Sequence, residues 1–396
     1  MIQPILEKIF LIIFLLTTYS CNSQDTKSDN IVNNKKNVIE FRESAMSYKY
    51  DCKDCIDIIH LLKQYHNGYD SWDSINRAWD TTYYNKYTYL DQALRGEIYF
   101  FANESDLTAN LIDITKNEDS SYIARVLYSY MSKKNKSESF AIYNFYVKRS
   151  INGELKLVPY LEHSKKVFKK TIYNNIEIYE SSNIPLTKLD FRKIDSWNDS
   201  ISSFFNSSKE NIKLFYTKNF VETYKIIGFD SYYKMNQNKV KNQNNGISDI
   251  INNIIYSPEI ALIKHEMVHI YIFKSFNINN NYWVGEGLAT FLAGGLEPKL
   301  EIDLKKLSND FKLKPQNNFQ NIFQYQNYNV DMKTSYMYTI FGLICKLIYE
   351  KEGKKGLLEF VNSGSSEDDV YKAIEKHLGI SKNDANQFLR SKILEF

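Results

Sequence analysis

The chain has 396 residues, 43% apolar and 24% charged, with 50 Lys plus Arg against 47 Asp plus Glu. At roughly 100–200 residues per domain this length predicts two domains and an ample core, and the composition excludes a collagenous, mucin-like or wholly disordered chain. A net charge of +3 gives no strong pull on phosphate backbones, so nucleic acid is not an expected partner.

Residues 1–21 read as a targeting segment. A short stretch ending at Lys8 leads into the apolar run Ile9 to Leu16, which is too short to span a bilayer but suits the core of a secretory signal. Ser20 precedes Cys21, and the polar stretch Asn22 to Asn37 follows. Together these resemble a bacterial lipoprotein signal, apart from Thr18 where the usual pattern has Leu. The resemblance implies cleavage before Cys21, its lipidation, and a chain exported and anchored to the cell envelope, at the outer membrane or periplasmic face. Cleavage nearby with ordinary secretion is the alternative. Residues 22–37, rich in Asn, Ser, Lys and Asp without apolar period, read as a flexible tether.

Residues 38–165 read as an accessory α+β domain. Ile58, Ile59 and Leu62, then Trp72, Ile75 and Trp79, recur at helical spacing. Strand-like runs follow at Tyr122 to Tyr130, Phe140 to Lys148 and Leu155 to Leu161, the last two joined by the hairpin signal Asn152-Gly153. Helices followed by an antiparallel meander are similar to NTF2-like domains, which implies a module that binds a ligand or supports its neighbour. Cys52 and Cys55 form a C-x-x-C that reads as a local disulfide or two structural thiols, because no βαβ context for a redox motif surrounds them. Cys345 stands alone in an apolar stretch and reads as a core residue.

Residues 168–396 read as one continuous domain with a helical C-terminal part. Thr171 to Tyr179 alternates as a strand, Leu186 to Phe205 is an amphipathic helix, and Asn211 to Tyr216 is another strand. A helix or turn lies near Phe220 to Ile227. The polar segment Asn236 to Asn245 reads as a loop before a strand-like run at Ile247 to Tyr256.

Ser257-Pro258-Glu259 then opens an apolar helix through Phe273, interrupted by Lys264, His265, Glu266 and His269. Burying such groups unpaired costs several kcal/mol, so something must compensate. His265 and His269, four apart, share one helical face and can place two imidazole nitrogens on one metal ion, while Glu266 lies beside them within reach of a water. Fourteen positions beyond His269, Trp283-Val284-Gly285-Glu286-Gly287-Leu288-Ala289 opens a second apolar helix that stops at Gly294-Gly295. A catalytic zinc takes three protein ligands, and Glu286 supplies the third. Gly287 and Ala289 leave room for the helices to approach.

These residues resemble the gluzincin metallopeptidases, in the branch with Trp-x-x-Glu-Gly-x-Ala after His-Glu-x-x-His known as peptidase MA-like or aminopeptidase-N-like. The resemblance implies a zincin-like fold over roughly 168–396, Zn2+ on His265, His269 and Glu286, and Glu266 as general base. It implies hydrolysis of a peptide or protein substrate. The chain departs from the family twice. Gly246-Ile247-Ser248-Asp249 lacks the Gly-x-Met-x-Asn strand of the aminopeptidases, so endoproteolysis is expected. Thr290 stands where the family often has a Glu that braces a ligand histidine, so the surroundings of the metal are built differently. The family also places a Tyr hydroxyl on the developing oxyanion; Tyr336 and Tyr338, expected before a helix ending near Gly353, are the candidates, with packing as the alternative for both. Two further readings are a catalytically silent surface lipoprotein that binds a peptide or envelope protein, and a secreted binding protein whose activity lies in 38–165.

Overall fold

The computed structural model describes residues 39–43, 52–67, 77–87, 94, 98, 106–132, 136–181, 185–236, 246–276, 281–314, 321–325 and 328–396. The targeting segment with Cys21, the tether, Trp72, Ile75 and nearly all of the polar segment Asn236 to Asn245 lie outside these residues. The chain forms two compact units. One holds the described residues up to Phe168 together with Val221–Lys241, the other Lys169–Phe220 together with Asn242–Phe396.

In the first unit β1 (Ile39–Glu43) pairs in parallel with β2 (Leu107–Lys116). Next come β3 (Tyr122–Met131), β4 (Ser137–Arg149) and β5 (Leu155–Val158) as antiparallel neighbours, in sheet order β1-β2-β3-β4-β5. Tyr122, Ala124, Val126 and Tyr128 are buried at every second position of β3, the period of a sheet that lays one face on a core. Helix α1 (Lys53–Asn67) buries Ile58, Leu62 and Tyr65, and the Tyr65 ring meets Phe145 of β4 edge-on at 5.1 Å. Buried His66 donates from Nδ1 to the Leu62 carbonyl (2.7 Å), since a carbonyl only accepts; its Nε2 therefore accepts the Tyr128 hydroxyl at 2.7 Å. Cys52 and Cys55 are disulfide-bonded to one another at the start of α1. Asn152-Gly153 turns the chain between β4 and β5, with Gly153 at φ 81°. A short helix, α2 (Tyr160–Ser164), follows.

The second unit opens with β6 (Lys169–Tyr173) and β7 (Ile176–Glu180), a hairpin where the sequence reads one strand. Asn174, at φ 50°, makes the turn. Thr187 and Asp190 cap α3 (Lys188–Phe205) reciprocally. After β8 (Ile212–Tyr216) the chain leaves this unit, which the sequence reads as continuous. Buried Phe229 and Tyr232 place β9 (Phe229–Tyr232) on the first sheet, antiparallel to β4.

On returning, the expected single run at Ile247 to Tyr256 is again two strands, β10 (Ile247–Asp249) and antiparallel β11 (Ile254–Ser257), turned at Asn253 with φ 54°. The sheet order is β10-β11-β8-β7-β6, parallel from β11 to β7. The α-helices that follow among the described residues are α4 (Ile260–Phe276), α5 (Tyr282–Ala293), α6 (Leu300–Leu313), α7 (Tyr336–Val361), α8 (Glu367–Leu378) and α9 (Lys382–Leu394). Gly353 breaks α7 at φ 68°. A Cβ on Gly287 of α5 would lie 2.6 Å from the Phe341 backbone carbon of α7, so these helices approach through a missing side chain. Cys345 is buried in the core of this unit with its thiol free. The fold is mixed α+β with antiparallel-rich sheets and a helical C-terminal part. Among the described residues no helix is long and apolar enough to cross a membrane.

Candidate metal centre

Helix α4 begins at Ile260, two positions after Pro258, because Ser257 still belongs to β11. The Ser257 hydroxyl oxygen accepts the Glu259 amide at 3.2 Å, and the first helical bond runs from the Ile263 amide to the Glu259 carbonyl. The helix buries Leu262, Ile263, Met267, Val268, Ile270 and Tyr271 on several sides, so its polar groups must be satisfied inside the protein. Helix α5 is capped by Asn281, whose side-chain oxygen accepts the Trp283 amide at 3.0 Å, and it presents Glu286 one turn further on.

These two helices bring His265, His269 and Glu286 together, with one ligating atom from each lying within 4.8 Å of the others. Glu286 Oε2 is 3.2 Å from His265 Nε2 and 3.5 Å from His269 Nε2. His265 donates from Nδ1 to the Gly294 carbonyl at 2.8 Å, which leaves Nε2 with its lone pair toward the cluster. His265 and Glu286 are 5% and 6% exposed, so the groups meet with almost no water to screen them. Burial disfavours a charged His269, but the carboxylates of Glu286 and then Glu266 outweigh it and raise that imidazole to about 9. Burial likewise opposes charge on Glu286, yet His269 and His265 hold its carboxyl well below the usual range. Two imidazole nitrogens and one carboxylate fit a zinc ion, whereas calcium and magnesium call for oxygen ligands throughout.

Glu266 stands beside this group without joining it. Its Oε2 accepts the Ser248 hydroxyl of β10 at 2.7 Å. The two candidate tyrosines both lie in the first turn of α7 rather than ahead of a helix, and the structure separates them. The Tyr338 ring lies nearly parallel to His265, with centroids 6.2 Å apart, and its hydroxyl is 3.3 Å from that of Tyr282. Burial, then the Glu286 carboxylate, pushes both of these hydroxyls well above 10, so both stay protonated. Tyr336 instead donates its hydroxyl to Asp310 of α6 and stacks on Tyr325. It is a packing residue.

Thr290 does not brace a histidine. Its hydroxyl is buried without a hydrogen-bond partner among the described residues, and the contact on His265 comes from the Gly294 backbone at the end of α5. Sequence reasoning missed Ser248 and Tyr282. Tyr282 lies four residues before Glu286, hence on the same face of α5, and that spacing was a usable signal. Ser248 gave none.

No protein-family model and no curated protein matches the chain. Among solved structures it is similar to M1 zinc metallopeptidases. A point variant of the enzyme from Deinococcus radiodurans shares 9% identity over 73% of this chain and 65% of that one, with a TM-score of 0.34. The enzyme from Deinococcus radiodurans shares 10% over 73% and 64%, with a TM-score of 0.32. A two-domain M1 zinc metallopeptidase variant bound to L-tryptophan gives 10%, 73%, 64% and 0.33. The chain spans less than two thirds of the length of each.

Proposed function

We propose that the chain is a zinc-dependent metallopeptidase, with His265, His269 and Glu286 as the zinc ligands and Glu266 as the general base. The observation that carries this reading is the buried cluster of two imidazoles and a carboxylate with a second carboxylate held beside it. Zinc in such a set supplies Lewis acidity, polarising a scissile carbonyl and lowering the pKa of water toward about 7. The protein groups do the rest. Glu266 takes a proton from the attacking water and passes it to the leaving amine. Tyr338, neutral and next to His265, donates its hydroxyl to the oxygen on which charge develops. The near-complete burial of His265 and Glu286 keeps competing water out, which strengthens each of these interactions.

Endoproteolysis fits best, because the chain lacks the aminopeptidase strand motif at 246–249. The proposed setting is the bacterial envelope, with the chain anchored through a lipidated Cys21. The intact mass of the mature chain tests that setting: an unmodified terminus, or one distant from Cys21, rules the anchor out. Peptidase action is tested by incubating the purified chain with a mixed peptide pool. Cleavage is expected, lost with a chelator and restored by zinc. A chain that takes up zinc and cleaves nothing would instead be a silent binding protein.

A further inference from the structure

Glu266 has three rotatable bonds and sits one residue from a proposed zinc ligand, so left alone its carboxylate would be drawn to the cation as well as to substrate water. Two contacts, from β10 and from the residue just ahead of it, oppose this. The Ser248 hydroxyl donates to Oε2 at 2.7 Å. On the other side a Cβ at Gly246 would fall 2.7 Å from Glu266 Cγ and 2.8 Å from Oε1, so the carboxylate leans on bare backbone that only glycine provides. The Glu266 side chain is therefore gripped through one oxygen and one face.

Both partners belong to one short run of chain. β10 pairs with β11 in the register Ser248↔Ile255, and β11 ends at Ser257, three residues before α4 begins. The hairpin and the start of the helix thus connect Ser248 to Glu266 within 18 residues of chain.

We propose that Ser248 is a positioning residue for Glu266, holding the carboxylate as a base and off the metal, with Gly246 clearing its place. This rests on the reading of Glu266 as the general base. Ser248→Ala keeps the shape of the strand and removes this donor; Ser248→Thr keeps the hydroxyl. On the best-cleaved peptide of a synthetic pool, the zinc-loaded full chain with Ser248→Ala should lose roughly 5–50-fold in kcat, with KM within about twofold and zinc content unchanged. Ser248→Thr should return to within about threefold of the parent. Crystal structures of the zinc-loaded parent and Ser248→Ala chains give a second readout that does not depend on turnover: the Glu266 carboxylate should move or spread by about 1 Å or more in the variant. Turnover of Ser248→Ala within twofold of the parent, or an unmoved Glu266, overturns the proposal. If the parent itself cleaves nothing, the base reading falls, and the position of Glu266 in the two crystal structures still decides whether Ser248 holds it.

Discussion

Tyr336 and Tyr338 are two positions apart in α7, and at about 100° per residue their side chains leave opposite sides of the helix. One reaches Asp310 and the other lies against His265. Tyr338→Phe should therefore lower kcat and kcat/KM about equally, by a factor of roughly 10–1,000, with zinc content unchanged. Tyr336→Phe should leave turnover alone and cost about 1–3 kcal/mol of stability, because it takes the donor from Oδ2 of the buried Asp310 carboxyl while Lys314 keeps its bond to Oδ1. Steady-state kinetics and denaturant unfolding of the two variants check this, and equal activity in both would remove tyrosine from the oxyanion. At this scale the sequence was most legible where the chemistry repeats with the helix: His265 and His269 are four apart, so one period brings them together. It was silent where two residues meet across a turn of the chain. Ser248 precedes Glu266 by 18 positions, and no periodicity links a three-residue strand to a helix.

Gly287 shows how one missing side chain sets the spacing of two elements. A Cβ there would lie 2.5 Å from Phe341 Cβ and 2.6 Å from its backbone carbon, and backbone cannot turn aside. Gly287→Ala should push α5 from α7, cost about 1–3 kcal/mol, and weaken zinc binding because Glu286 is the adjacent residue. Thermal unfolding and competition with a zinc chelator measure both effects; a variant as stable as the parent would mean that the helices have slack. The elements themselves were legible where caps and apolar period agree, as at Ser257-Pro258-Glu259 ahead of α4. They were misread at the hairpins. In Thr171 to Tyr179 the turn Asn174-Asn175 pairs Tyr173 with Ile176 and so shifts the inward face by one position, but Ile172, Ile176 and Ile178 all fall on even numbers, so two strands look like one. The run from Ile247 to Tyr256 also hides its turn at Asn253.

On the scale of the molecule, length and composition announced two units, but not that Val221–Lys241 crosses from one to the other. A four-residue strand such as β9 carries too little pattern to reveal its partner. The first unit should also respond to acid through one residue. Burial holds His66 down at about 4 against an ordinary value of 6.5, despite its bond to the Leu62 carbonyl. The unfolded chain thus takes up a proton that the folded chain refuses, and stability falls as pH drops from 6.5 toward 4. The loss between pH 7 and pH 5 should be about 2 kcal/mol, and His66→Gln should abolish that part of the slope in unfolding measurements. The same slope in the variant would place the sensitivity elsewhere. The central claim, that a metal cluster and an adjacent carboxylate hydrolyse peptides, is tested most directly by Glu266→Gln. Zinc content and turnover of a mixed peptide pool are measured side by side with the parent. The account predicts about one zinc per chain in both proteins and a turnover lower by a factor on the order of 100 or more in the variant. Proteolysis unchanged by Glu266→Gln would contradict it.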